Sequence, residues 1–185
     1  FGASPKALLR SLFANRTLIG QLAKREVVSR YRGSMFGLAW SFFNPLLMLA
    51  VYTFVFSVVF NARWGVDTSG HGDFAVILFV GIIVHGVFSE CVNRAPGMIL
   101  NNASYVKRVV FPLETLPWVA MGATLFHSLI SLVVLLIAQV LLRGSIPVTA
   151  LLLPVVIIPL IVATMGATWL LAALGVYLRD IGQVT

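Results

Sequence analysis

Charge is scarce in this chain of 185 residues: Asp, Glu, Lys and Arg make up 10% of it, where a soluble globular domain carries about 25%. That shortage excludes an ordinary water-facing surface. The hydrophobic fraction of 59% and the mean hydropathy of +0.99 point the same way. There is one cysteine, Cys91. It excludes an intramolecular disulfide framework and a multi-cysteine metal site, and it leaves the redox compartment unreadable. The six acidic residues are scattered over different loops, so no convergent carboxylates for acid–base work stand out, and no catalytic set is assigned. Asp67, His71 and Asp73 share a Ser-Gly-rich loop and read as a solvated turn, with no metal site. No glycine-rich loop ends in Lys-Ser or Lys-Thr. Gly81 and Gly86 have phosphate-loop spacing, but Val87 and Phe88 follow them inside an apolar run, so the lysine that phosphates require is missing.

What is present is a series of long uncharged runs. Phe36 to Phe60 carries no charge, and at 1.5 Å per residue it reaches roughly 37 Å, enough to span a ~30 Å hydrocarbon core with tilt. Phe74 to Ser89 is too short by itself, so the helix is expected to continue through Glu90 and Arg94. These lie four apart on one helix face and can pair. The runs predict an all-α membrane protein: an interfacial segment over 1–35, then spans at 36–60, 74–100, 116–142 and 150–178. The connections are an outer loop at 61–73, a cytoplasmic segment at 101–115, an outer turn at 143–149 and the start of a cytoplasmic loop at 179–185. Pro154 and Pro159 are expected to mark an irregular outer end of the last run. Such runs are too long for membrane β-strands. Phe1 and Thr185 read as incomplete ends.

Basic residues set the orientation. Lys6, Arg10, Arg16, Lys24, Arg25, Arg30 and Arg32 precede the first span, Arg94, Lys107 and Arg108 follow the second, and Arg179 follows the fourth. Arg63 and Arg143 fall on the other side. The positive-inside rule places the larger group in the cytoplasm, N-terminus included. The net charge of +7 is thus a topology signal, and no nucleic-acid partner is called for. Residues 5–32 mix Leu8, Leu9, Leu12, Phe13, Leu18, Leu22 and Val27 with basic residues at helical spacing, as in an amphipathic helix lying in the headgroup plane.

Three segments carry a family resemblance. The first is Ser29-Arg30-Tyr31-Arg32-Gly33-Ser34 with Gly37, Trp40, Pro45-Leu46-Leu47 and Val51-Tyr52. The second runs from Asn102 through Ala103-Ser104-Tyr105-Val106-Lys107-Arg108-Val109-Val110-Phe111 to Pro112, with Glu114 and Leu116-Pro117. The third is Tyr177-Leu178-Arg179-Asp180-Ile181. Together they resemble the membrane subunit of ATP-binding-cassette polysaccharide exporters, which move lipid-linked O-antigen, capsule or teichoic-acid chains out of bacteria. Tyr105 stands where that family usually has an aliphatic residue, and Leu113 where a basic one is common. The family has six crossings; with four in this sequence, the resemblance implies a piece of a six-helix permease.

The resemblance implies a bacterial inner-membrane protein paired with a second copy of itself and with an ATPase subunit that binds ATP and magnesium; no cofactor is expected in this chain. It also implies that Asn102, Tyr105, Lys107, Arg108 and Phe111, with Arg179 and Asp180, couple to that ATPase. Arg30, Tyr31 and Arg32 stand just before the first span, where guanidinium forks suit the phosphates of a lipid-linked substrate or of membrane lipid. Glu90 and Arg94 read as an intramembrane polar pair, structural in role. His127 reads as an interior histidine with a hydrogen bond. Two other readings compete, a membrane-embedded glycan-assembly enzyme and a proton-coupled secondary transporter. The first lacks convergent carboxylates. For the second, only Glu90 and His127 come near the bundle interior.

Overall fold

The computed structural model describes residues 5–59, 73–102, 112–145, 148–178 and 180–184. Every regular element among them is helical. Helix α1 is Pro5–Ala14 and α2 is Arg16–Arg30. A 3-10 turn at Gly37–Ala39 leads into α3, Trp40–Tyr52, which continues as a π-helix over Thr53–Val59. Helix α4 is Asp73–Asn101 and α5 is Thr115–Arg143. A second 3-10 turn, Val148–Leu152, opens α6, Leu153–Tyr177, and α7 is the short Ile181–Val184. Gly37–Phe56, Val76–Asn101, Thr115–Leu141 and Leu153–Tyr177 are each long and apolar enough to cross a membrane. The chain is an all-α, multi-pass membrane protein, as its uncharged runs imply: in hydrocarbon a helix satisfies its own backbone.

Two local expectations change. The amphipathic stretch is not one helix but two, broken at Asn15. The backbone bonds of Asn15 N–H to Ser11 O (3.0 Å) and of Ile19 N–H to Asn15 O (2.9 Å) persist. However, the Asn15 carboxamide also donates to Ser11 O, at 3.1 Å. Two donors on one carbonyl loosen the turn. Nor do Pro154 and Pro159 interrupt the last span. Pro154 falls in the first turn of α6, where its missing N–H breaks no helical bond, and the irregular backbone lies before it at Val148–Leu152. The change from α to π winding falls at Thr53, whose hydroxyl donates to Leu49 O at 2.7 Å. After α2 the chain turns at Gly33, whose φ of +88° suits only a residue without Cβ.

The chain forms two compact units. One gathers α1 and α2, α4 from Val87 onward, α5 as far as Leu125, and α6 from Val155. Its core packs Val87, Cys91, Met121 and Met165 against Trp118 and Trp169, whose indoles meet edge to face at 5.5 Å. Small polar residues are buried in it. Cys91 donates to the Thr124 hydroxyl at 3.6 Å, and Thr168 Oγ1 donates to Thr164 O at 2.7 Å. Gly175 of α6 lies directly against Pro96 of α4: a Cβ there would come within 2.6 Å of the Pro96 Cα. This is the small-residue helix contact that membranes favour, because lipid gives apolar side chains no incentive to associate and backbone proximity gives dispersion.

The other unit comprises Tyr31–Gly86 and Phe126–Pro154. Its core is Leu49, Phe79, Val134 and Leu135, flanked by Tyr52, Val76 and Ile83. Among its described side chains Arg32 is the one formal charge.

Candidate functional site

Helices α2 and α4 carry the same charge pattern. Glu26 and Arg30 stand four apart on α2, and Glu90 and Arg94 four apart on α4. That spacing puts each pair on one helix face. The two faces meet in opposite order. Arg94 Nη2 contacts Glu26 Oε1, Arg30 Nη1 lies 2.8 Å from Glu90 Oε1, and Arg94 Nη1 lies 3.7 Å from that same Glu90 oxygen. The carboxylates are the more enclosed partners, with 25% of the Glu26 side chain and 20% of the Glu90 side chain exposed. Charges so placed lose part of their hydration and regain it from one another. The apolar residues that α2 buries are Ile19 and Val27, and the ion pairs to α4 add a directional contact to them.

Sequence reasoning paired Glu90 with Arg94 but missed Glu26. The signal was there, in Glu-x-x-x-Arg written twice, at 26–30 and 90–94. One copy on each of two helices is what an antiparallel charge match requires.

A cavity of about 490 Å³ lies between α2, α4 and α5. Its polar lining includes Arg25, Glu26, Ser29, Asn93 and Arg94. Its apolar lining is Leu22, Met98, Leu116, Val119 and Ala120. Asn102, at the end of α4, turns its carboxamide back to donate to Met98 O at 2.8 Å, which satisfies a terminal carbonyl. At the start of α5 the Pro112 carbonyl accepts from both Thr115 N–H, at 3.0 Å, and the Thr115 hydroxyl, at 2.7 Å. The helix ends that flank the expected coupling segment are therefore closed by their own side chains.

Of the other expected coupling residues, Tyr105, Lys107, Arg108, Phe111 and Arg179 lie outside the described residues. Asp180 is exposed in the turn before α7. Arg30, expected at lipid headgroups, is engaged with Glu90. Tyr31, expected beside it, has its hydroxyl 3.3 Å from His127 Nδ1 of α5, with the rings edge-on at 5.7 Å. His127 is thus a hydrogen-bonded histidine within a span. Arg32 is exposed. The groups assembled around α2 and α4 supply binding chemistry: guanidinium forks, a carboxylate, carboxamides and a hydroxyl, able to hold phosphate, ammonium or sugar oxygens.

A family model described as ABC-2 type transporter matches residues 17–185. The chain is similar to the O-antigen export system permease protein RfbA of Myxococcus xanthus, 31% identical over 178 residues, which cover 96% of this chain and 65% of that protein. It is also similar to two proteins of that name from Klebsiella pneumoniae, 25% and 24% identical over 166 residues, covering 89% of this chain and 61% of each relative. The chain thus spans somewhat less than two thirds of the length of these relatives.

Proposed function

The chain belongs to the ABC-2 type transporter family, and from that premise we propose that it is the transmembrane subunit of an ATP-driven exporter of a lipid-linked polysaccharide. The observation that carries the reading is the similarity, over 96% of the chain, to a relative named as an O-antigen export permease. The polymer is O-antigen-like, with capsule or teichoic acid as the other members of the same chemical class. ATP and magnesium are held by a separate nucleotide-binding subunit, the partner that membership of this transporter family implies. Two copies of the permease form the path, because a two-fold interface doubles a small bundle with one set of contacts. The protein lies in the bacterial inner membrane with its N-terminus in the cytoplasm, following its basic residues.

In this reading the ATPase presses on the segment from Asn102 to Pro112. Lys107 and Arg108 steer the contact, Phe111 anchors it, and Tyr105, Arg179 and Asp180 contribute. Arg30, Tyr31 and Arg32, consecutive at the entry to the first span, meet phosphate at headgroup level; a guanidinium has five N–H donors, so Arg30 can hold a carboxylate and a phosphate together.

Deleting the gene tests the function. Surface polysaccharide is expected to disappear while its lipid-linked form accumulates inside, with recovery on complementation. Unchanged surface polysaccharide overturns the reading. ATPase activity that appears only when the partner subunit is added separates it from a lone enzyme or a proton-coupled carrier. A Lys107→Glu/Arg108→Glu variant is expected to lose ATPase subunits on purification. For topology, cysteines introduced at 5 and 105 in a Cys91-free background should resist an impermeant thiol reagent that labels 68 and 145.

A further inference from the structure

The cavity between α2, α4 and α5 meets the coupling reading above only at its rim, through Asn102; its charged groups Arg25, Glu26 and Arg94 have no part in the coupling or headgroup-entry readings. Its lining is mixed in two respects. It is polar at Arg25, Glu26, Ser29, Asn93 and Arg94 and apolar at Leu22, Met98, Leu116 and Val119, so it suits an amphiphile. Its charged groups are also of both signs: two guanidiniums and one carboxylate. A volume of about 490 Å³ falls within the roughly 300–1,000 Å³ of small-molecule sites. Two of the three elements around it, α4 and α5, are long and apolar enough to cross a membrane.

We propose that this cavity binds a phospholipid with a primary-ammonium headgroup, of the phosphatidylethanolamine type. The phosphodiester sits against the guanidiniums of Arg25 and Arg94, where planar forks and charge match its oxygens. The ammonium donates to the Glu26 carboxylate, and the acyl chains leave over Leu22, Met98, Leu116 and Val119. The mixed charge selects the headgroup. A lipid diphosphate or a phosphatidylglycerol would satisfy the guanidiniums but bring no ammonium to Glu26, leaving that carboxylate beside a second anion in a partly desolvated site. A choline headgroup has no N–H to give to Glu26, and none of the described lining residues is aromatic, so the usual cage for a quaternary ammonium is missing. A zwitterion with donor hydrogens answers both signs at once. Glu26 meets Arg94 in the structure; the lipid joins that pair, its phosphate on the free donors of Arg94 and its ammonium on the remaining lone pairs of Glu26.

The test is lipid retention, independent of export. The whole protein is placed in nanodiscs of equimolar phosphatidylethanolamine, phosphatidylcholine and phosphatidylglycerol, then released for native mass spectrometry. One phosphatidylethanolamine per chain is expected to be retained in preference to the other two. Glu26→Gln is expected to cut that retention by roughly tenfold, the scale of one lost charge-assisted contact, and to shift preference toward phosphatidylglycerol. Asp180→Asn removes an exposed carboxylate that does not line the cavity, and should leave retention unchanged. Soluble phosphoethanolamine at matching concentration should not displace the lipid. The proposal is overturned if wild type prefers phosphatidylglycerol or a lipid diphosphate, if Glu26→Gln leaves the preference unaltered, if Asp180→Asn abolishes retention equally, or if phosphoethanolamine competes as well as the lipid. Loss of polysaccharide export with retention intact would bear on the proposed function alone.

Discussion

The unit built around α2 and the unit built around α3 solve the same problem with different contacts. In the first, Glu26, Arg30, Glu90 and Arg94 alternate in sign between two helices, threonine hydroxyls are buried, and Gly175 touches the Pro96 backbone. In the second, Leu49, Phe79, Val134 and Leu135 interlock by shape, with the Tyr31–His127 contact as a polar addition. Burying an apolar side chain between helices instead of in lipid gains little transfer energy, so shape alone must supply dispersion. Polar and small-residue contacts are directional and fix a register. The α2 unit is therefore expected to be specific and sensitive to charge and salt, the α3 unit tolerant of conservative apolar exchange.

The largest expected effect sharpens this contrast. Gly175→Val forces a branched side chain into the Pro96 backbone, which cannot retreat without separating two helices. A loss of about 3 kcal/mol is expected, the upper end of overpacking costs, read as a large drop in unfolding midpoint in detergent. A normal midpoint would show that α4 and α6 are not in backbone contact.

Next comes Phe79→Ala in the α3 unit. The cost expected is about 2 kcal/mol, the cavity part of the usual large-to-small penalty, because lipid removes most of the water-transfer part. Phe79→Leu should recover most of it. A loss as large for Leu as for Ala would mean that this core is as exacting as its neighbour.

Smaller again is the charge match. Glu26→Gln is expected to cost about 1 kcal/mol, since the groups are partly exposed and screened. Glu26→Arg should cost more, and Glu26→Arg/Arg94→Glu should regain part of that loss. A double-mutant cycle with no coupling, or one indifferent to salt, would remove charge from the account of how α2 is held. The smallest effect belongs to Tyr31→Phe. It deletes one hydroxyl at 3.3 Å and should cost about 0.6 kcal/mol, the average for hydrogen bonds between membrane helices.

The candidate site was legible in part. Glu90 and Arg94 were readable as a pair because helical spacing is local, and His127 as an interior histidine because it sits mid-run. Glu26 was present as half of a repeated Glu-x-x-x-Arg, but its partner is 68 positions away, and no periodicity reports which two helices face each other. Tyr31 read as a headgroup residue from its neighbours, while its hydroxyl found a histidine 96 positions on. The break at Asn15, inside the stretch read as one amphipathic helix, was not legible, because competition of its carboxamide for the Ser11 carbonyl is a matter of rotamer.

By itself the sequence determined that this is an all-α membrane protein, with four helices among the described residues long and apolar enough to cross a membrane. Uncharged length is a one-dimensional property, and hydrocarbon admits few structures that satisfy the backbone. Motif order and spacing pointed to the family in the same linear way. Tertiary structure alone decided that Glu26 meets Arg94, that Gly175 rests on Pro96, and that polar and apolar groups of α2, α4 and α5 enclose one cavity. Those outcomes depend on helix rotation and crossing, which small-residue and polar contacts between distant positions set once the helices share a membrane.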